Sequence, residues 1–162
     1  MRVQSFAVGA VLAGLSFQSA HAQTATANFQ VLINILKACI VSSATDMDFG
    51  TNPGVIASPI NQTSTISLVC TGGTAYSVGL NAGTTAGATE TTRQMAQGAA
   101  RINYALYSDT LRTVNWGNTV ASWVTGTGTG LPQNLTVYGQ VPAQTATATG
   151  GYTDTITVTV TY

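Results

Sequence analysis

Histidine occurs once in these 162 residues, at His21, so the chemistry open to a histidine depends on whether that position survives processing. Ala20-His21-Ala22 satisfies the A-x-A rule for signal cleavage. Arg2 supplies a positive leading region, and Phe6 to Phe17 is apolar or small. Residues 1–22 therefore read as an export signal, and its removal leaves Gln23–Tyr162 without histidine. Histidine-based nucleophilic triads and histidine metal sites are then excluded. The other candidates are sparse. Asp46 and Asp48 would face one side of a strand, but a calcium loop needs more oxygen ligands and a correctly spaced glutamate. Asp109 and Arg112 read as a turn with a surface ion pair. Asp154 can cap or pair with a neighbour, yet alone it cannot run general acid–base chemistry. Ser43, Ser64, Ser108 and Ser122 have no base to activate them. Asn61-Gln62-Thr63 and Asn134-Leu135-Thr136 match the glycosylation triplet, a frequent chance match in a threonine-rich chain. No enzyme active site emerges, and no cofactor is called for.

Cys39 and Cys70 are the only cysteines. In an exported chain an even pair reads as a disulfide, closing a loop of 32 residues. Such a bridge contributes about 3.7 kcal/mol in the chain-entropy treatment. Two free buried thiols are the alternative. The spacing is not that of a CxxC redox site, and partner ligands for a metal are missing.

After cleavage the charges are Lys37, Arg93, Arg101 and Arg112 against Asp46, Asp48, Glu90, Asp109 and Asp154. This set offers no basic patch for a phosphate backbone, so nucleic-acid binding is not expected. After residue 22 no run of 18 apolar residues occurs, which argues against membrane insertion. Threonine appears 28 times after residue 22, a composition suited to exposed sheet faces and poor for helices.

The elements that must position these residues are short strands. Thr65 to Cys70 alternates Ile66 and Leu68; Thr71-Gly72-Gly73 permits a tight turn into Ala75 to Leu80, with Tyr76, Val78 and Leu80 on one face. Residues 81–100 are small and polar and read as a long loop that can hold a hairpin. Ile102 to Tyr107 is a strand, followed by a turn at Ser108-Asp109. Weaker strands are expected around Trp116-Gly117 and Ser122 to Thr125, then a flexible loop at Gly126 to Gly130. Leu135 to Val141 is a strand that Pro142 ends. This pattern predicts an all-β, immunoglobulin-like β-sandwich.

Two segments fit a self-sufficient sandwich poorly. Tyr152 to Tyr162 alternates Ile156, Val158, Val160 and Tyr162 against threonines, the strongest strand signal in the chain. A sequence that stops on a core strand has no later strand to set beside it. At the other end, Phe29, Val31, Ile33 and Ile35 share one parity, and Gln23 to Cys39 would extend to about 56 Å at about 3.3 Å per residue. An ordinary strand covers ~17–20 Å. Lys37 breaks the apolar face just before Cys39, so a bend or handover is expected there. A free N-terminus followed by one ordinary strand is the alternative.

The order of motifs resembles the spore coat protein U domain family. The residues that carry the resemblance are Lys37-Ala38-Cys39, Asp48-Phe49-Gly50, Ile66 to Cys70 with Thr71-Gly72-Gly73, Ile102 to Asp109, Trp116-Gly117, Val137-Tyr138-Gly139 and Gly150 to Ile156 running on to Tyr162. That family includes secreted coat proteins and pilin subunits of archaic, Csu-type chaperone–usher systems. The resemblance implies an incomplete immunoglobulin-like sandwich, lacking its last strand and completed by a donor strand from another chain. It divides the chain into a signal (1–22), an N-terminal donor extension (23–33) and a pilin domain (34–162). The donor segment is placed at Thr24 to Ile33 with Ala27, Phe29, Val31 and Ile33 inward, the domain's first strand running on through Cys39. Ala25 and Ala27 are small for the start of a donor. The edge that meets a chaperone and later lines the groove is Ile156, Val158, Val160 and Tyr162. The partners implied are a periplasmic chaperone, an outer-membrane usher and neighbouring pilin subunits, with export to the periplasm and then the cell surface, supporting adhesion and biofilm. The alternatives are a secreted coat protein that forms no fibres, or a self-contained carbohydrate-binding sandwich using Trp116, Trp123 and Tyr107 as a stacking platform.

Overall fold

The computed structural model describes residues 23–162; the export-signal reading of residues 1–22 lies outside them. Two units are distinguished, meeting at the Asn34–Ile35 bond. In the first, Gln23–Asn34 carries no strand, and Phe29, Val31, Leu32 and Ile33 are 84–86% exposed.

The second unit, from Ile35, contains ten strands: β1 (Cys39–Ala44), β2 (Val55–Ile56), β3 (Ile60–Cys70), β4 (Ala75–Leu80), β5 (Arg93–Gln97), β6 (Ala100–Tyr107), β7 (Val124–Thr127), β8 (Gln133–Val141), β9 (Gln144–Thr145) and β10 (Val158–Thr161). One sheet has the order β1-β3-β8-β6-β5, the other β10-β4-β7, and β2 pairs with β9. Every pairing is antiparallel.

Alternation builds the core between the sheets. Ile66 and Leu68 of β3, Ile102, Tyr104 and Leu106 of β6, and Val137 and Val141 of β8 face Tyr76, Val78 and Leu80 of β4. The period of two puts every second residue on the inner face. Trp116 fills the middle at 1% exposure, its Nε1 donating to the Val78 carbonyl at 2.9 Å. The chain passes from one sheet to the other through Thr71–Thr74, where Gly73 has φ +79° and Thr74 N donates to Thr71 O. This is the expected immunoglobulin-like sandwich.

Several local expectations are corrected. The first strand does not run up to Cys39; it starts there and continues to Ala44. Alternation at Phe29–Ile35 gives a capacity to pair, and no strand of the second unit's sheets lies in 23–38. The irregularity of that strand falls at Val41/Ser43 rather than near Lys37. Part of the glycine-rich stretch is ordered, because β7 takes in Gly126 and Thr127 against β4. There the Tyr76 hydroxyl lies 2.5 Å from where a Cβ on Gly126 would stand, so only glycine lets the ring cover that strand. Before it, Val120–Ser122 is one 3₁₀ turn, so the weak strand expected at Ser122 to Thr125 begins at Val124. Near Trp116 the expected strand reduces to a single bridge, Tyr107 with Asn115. Asp109 and Arg112 do not form the expected ion pair. The Asp109 carboxylate accepts from Thr113 N and Val114 N, while Arg112, at φ +58°, donates to Gly139 O and lies 5.8 Å from the centroid of the Tyr138 ring.

Candidate functional site

The site is an unpaired strand edge beside an open groove. β10 pairs with β4 on one side through Val158 with Leu80 and Val160 with Val78. Just before it, Asn81 N donates to Thr157 O, and Thr157 N donates to the Asn81 side-chain oxygen at 2.9 Å. Thr157, Thr159 and Thr161 therefore spend their backbone groups on β4. The strict alternation of an antiparallel ladder turns the N–H and C=O groups of Val158 and Val160 to the opposite side. Among the described residues no strand pairs with that side.

Across from β10 stands β1, the edge of the larger sheet, and Cα atoms of the two strands come within 8 Å of each other. It is antiparallel to β3, which reverses into β4, and β10 is antiparallel to β4; β1 and β10 therefore run in opposite directions along the two sides. Cys39 and Thr161 mark one end of the gap, Ala44 and Val158 the other. Towards the second end it widens into a cavity of about 400 Å³, lined by Ile66, Leu80, Leu106, Val137, Ile156 and Val158. These are core residues of both sheets. Core side chains in its wall and a free hydrogen-bonding edge beside it are the two features that strand addition uses.

The cavity also has a polar corner. Tyr104 Oη, 5% exposed, donates to Asp154 Oδ2 at 2.7 Å, and Asp154 Oδ1 accepts from Thr84 N, Thr84 Oγ1 and Thr155 N. Burial alone would raise the carboxyl of Asp154, but the bonds from Tyr104, Thr84 and Thr155 hold it below its ordinary value. Burial first, then the hydrogen bond to Asp154, pushes the Tyr104 phenol far up, so it stays a donor. Asp154 thus pins the 152–162 segment where it crosses from a bridge with β5, Thr153 to Ala96, into its ladder with β4.

Arg93 is fully buried and holds the neighbouring loops. Its guanidinium donates to the carbonyls of Leu80, Asn81, Glu90 and Trp116 at 2.7–2.9 Å. Desolvation lowers its pKa from the usual arginine value. A lone arginine in a polar, glycine-rich stretch gave no sign of this in the sequence. Met47 and Phe49, which also line the cavity, went unread as site residues as well; the signal available was the alternation Met47-Asp48-Phe49.

The residues singled out in the sequence fall as follows. Cys39 and Cys70 are bonded, S–S 2.05 Å, as a directly opposed pair in the β1–β3 ladder. Ile156, Val158 and Val160 are half-buried and packed against the core, while Tyr162 is 58% exposed. Ala27, Phe29, Val31 and Ile33 lie in the first unit and are themselves exposed. Asp48 Oδ1 accepts from Gly50 N, which makes it a turn residue. Among the described residues no group of three His, Cys, Asp or Glu side chains is placed to hold a metal. Trp116 is buried, so the aromatic platform of Trp116, Trp123 and Tyr107 does not exist as a surface.

The sequence profile of the Spore Coat Protein U domain matches residues 25–159. The chain belongs to the spore coat protein U domain family. A relative in that sense is Protein U of Myxococcus xanthus, 35% identical over 173 aligned positions covering 96% of this chain and 97% of that protein. Among solved structures, the fold is similar to a chain in the crystal structure of the CsuC-CsuE chaperone-tip adhesion subunit pre-assembly complex, from the archaic chaperone-usher Csu pili of Acinetobacter baumannii. The TM-score is 0.57 at 24% identity, over 79% of this chain and 40% of that one. At that identity the likeness speaks to the fold. The spore coat protein U match spans both units of the chain, the exposed N-terminal segment and the sandwich.

Proposed function

We propose that this protein is a structural subunit of a bacterial surface pilus of the chaperone–usher kind, polymerised by donor-strand exchange. The observation that carries the reading is the free edge of Val158 and Val160 beside a cavity of about 400 Å³ walled in part by core side chains. The donor is the N-terminal segment of another copy or of a sister subunit, with Ala27, Phe29, Val31 and Ile33 turned into the groove. Before assembly a periplasmic chaperone covers the same edge, and an outer-membrane usher is where the exchange takes place. The fibre at the cell surface then supports adhesion and biofilm. Membership of the spore coat protein U family and a fold like that of a Csu chaperone–subunit complex support this reading.

The magnitudes favour a donor. Burying three or four large apolar side chains yields roughly 5–10 kcal/mol as an upper estimate, comparable with the roughly 5–15 kcal/mol that stabilises a whole domain. A subunit with an empty groove should therefore be aggregation-prone.

Deleting Gln23–Asn34 tests the proposal. The truncated chain, co-expressed with a candidate chaperone, should bind a synthetic Thr24–Ile33 peptide and form no chains by size analysis. Continued polymerisation would overturn the assignment of the donor. A full-length chain that stays a stable monomer without any chaperone would favour a coat protein that forms no fibres.

A further inference from the structure

Met47 and Phe49 sit at the wide end of the groove, on the segment that follows β1. Met47 packs onto the inner face of β8 over Gly139: a Cβ on Gly139 would stand 2.0 Å from Met47 Sδ and 3.0 Å from Phe49 Cζ. The Phe49 ring is tilted against Tyr104, centroids 6.4 Å apart. Their backbone is held by its own neighbours. Asp48 Oδ1 accepts from Gly50 N at 2.7 Å, Gly50 has φ +75°, and Asn52 Nδ2 donates to Phe49 O at 2.8 Å. Asp48-Phe49-Gly50 is thus a rigid turn that leaves Met47 and Phe49 on the inner side and Asp48 outside.

Beyond these two side chains lies a second cavity, of about 560 Å³, with Ile60, Ile102 and Val141 in its lining. Met47, Phe49, Met95 and Tyr152 line both cavities, whereas Asp154, Ile156 and Val158 line only the first. The pair stands as a partition abreast of Tyr152. The stretch of the edge segment on the groove side of that partition is Thr153–Tyr162, ten residues, the same length as the donor segment Thr24–Ile33.

We propose that Met47 and Phe49, seated over Gly139 and fixed by the Asp48-Phe49-Gly50 turn, are the end stop of the groove: they set how many residues of an incoming strand are taken up and hence its register. This rests on the donor-strand reading above. Burial of one face forbids a slip of one residue, but sliding by two returns every side chain to the same face, so alternation alone does not choose between registers two residues apart. A wall at one end removes that freedom. It also keeps the second cavity closed to the donor, although its apolar lining would otherwise invite the strand to run on. Gly139 is part of the device, since any side chain there would displace Met47.

Amide-resolved hydrogen exchange on assembled full-length chains tests this. In the native assembly the protected part of the N-terminal segment should be a single block of about ten residues, set by the ten facing positions. In Met47→Ala, and more so in Met47→Ala/Phe49→Ala, the block should lengthen by two residues or more at one end. Met47→Leu, which keeps the bulk, should leave it unchanged. If the double variant fails to fold, the single variant decides. A protected block of unchanged length in Met47→Ala overturns the end stop while leaving the donor reading intact. Absence of any protection in the N-terminal segment of the native assembly overturns both.

Discussion

Asp154 is a residue through which pH should bear on the stability of the site. Its carboxyl lies below the ordinary aspartate value because Tyr104, Thr84 and Thr155 donate to the charged form. A carboxyl depressed in the folded state stabilises the fold above its unfolded pKa, about 3.9, and that contribution is lost as pH falls through the depressed folded value. Tyr104→Phe removes one donor to a charged acceptor, for which about 1.5–3 kcal/mol is the usual scale. Donor-filled Tyr104→Phe should therefore be less stable than the native protein near neutral pH, and the gap should narrow below about pH 4 as Asp154 protonates. Urea unfolding at a series of pH values measures this; a gap independent of pH would mean that Tyr104 acts by packing alone. Asp154 was visible in the sequence as a residue able to pair. Its partners were not, because Tyr104 is 50 positions away and Thr84 is 70.

At the scale of elements, β1 and β10 are the two sides of the groove, and they are held differently. β10 is tied by its ladder to β4 and by Asn81. β1 has one ladder, to β3, locked at its first residue by the Cys39–Cys70 bridge. Replacing both cysteines by serine should cost about 3.7 kcal/mol for a 32-residue loop, measured as a shift in the urea midpoint of donor-filled protein. Because β1 is an edge strand, it should also lose hydrogen-exchange protection before β3 and β8 do. Equal loss across all three strands would mean that the bridge stabilises the domain without guarding the groove. The β-strands with clean alternation, such as Thr65 to Cys70, Ala75 to Leu80 and Leu135 to Val141, were legible in the sequence because each buries one face of a sheet. β7 was only partly legible, as a weak strand at Ser122 to Thr125, and β2 and β9 were not, because two-residue pieces become strands only where a partner backbone lies beside them.

For the whole molecule, the proposed donor at one place and acceptor at another would make a head-to-tail contact, which does not close on itself unless the rotation between subunits happens to form a ring. Open chains are the expected product. Excess free Thr24–Ile33 peptide should cap acceptor grooves and shorten those chains in proportion to its concentration, read by sedimentation. Chain lengths insensitive to the peptide would place the subunit contact elsewhere.

By itself the sequence determined the secondary-structure class, the disulfide partners and the family, because these depend on local periodicity, residue chemistry and the order of motifs. Only the tertiary structure decided where the first strand begins, which side of β10 is free, that Asp154 and Tyr104 share a corner, and that Met47 and Phe49 stand over Gly139. Those facts depend on which distant segments meet across two sheets. Alternation along one strand says which face is buried; it carries no information about what lies opposite.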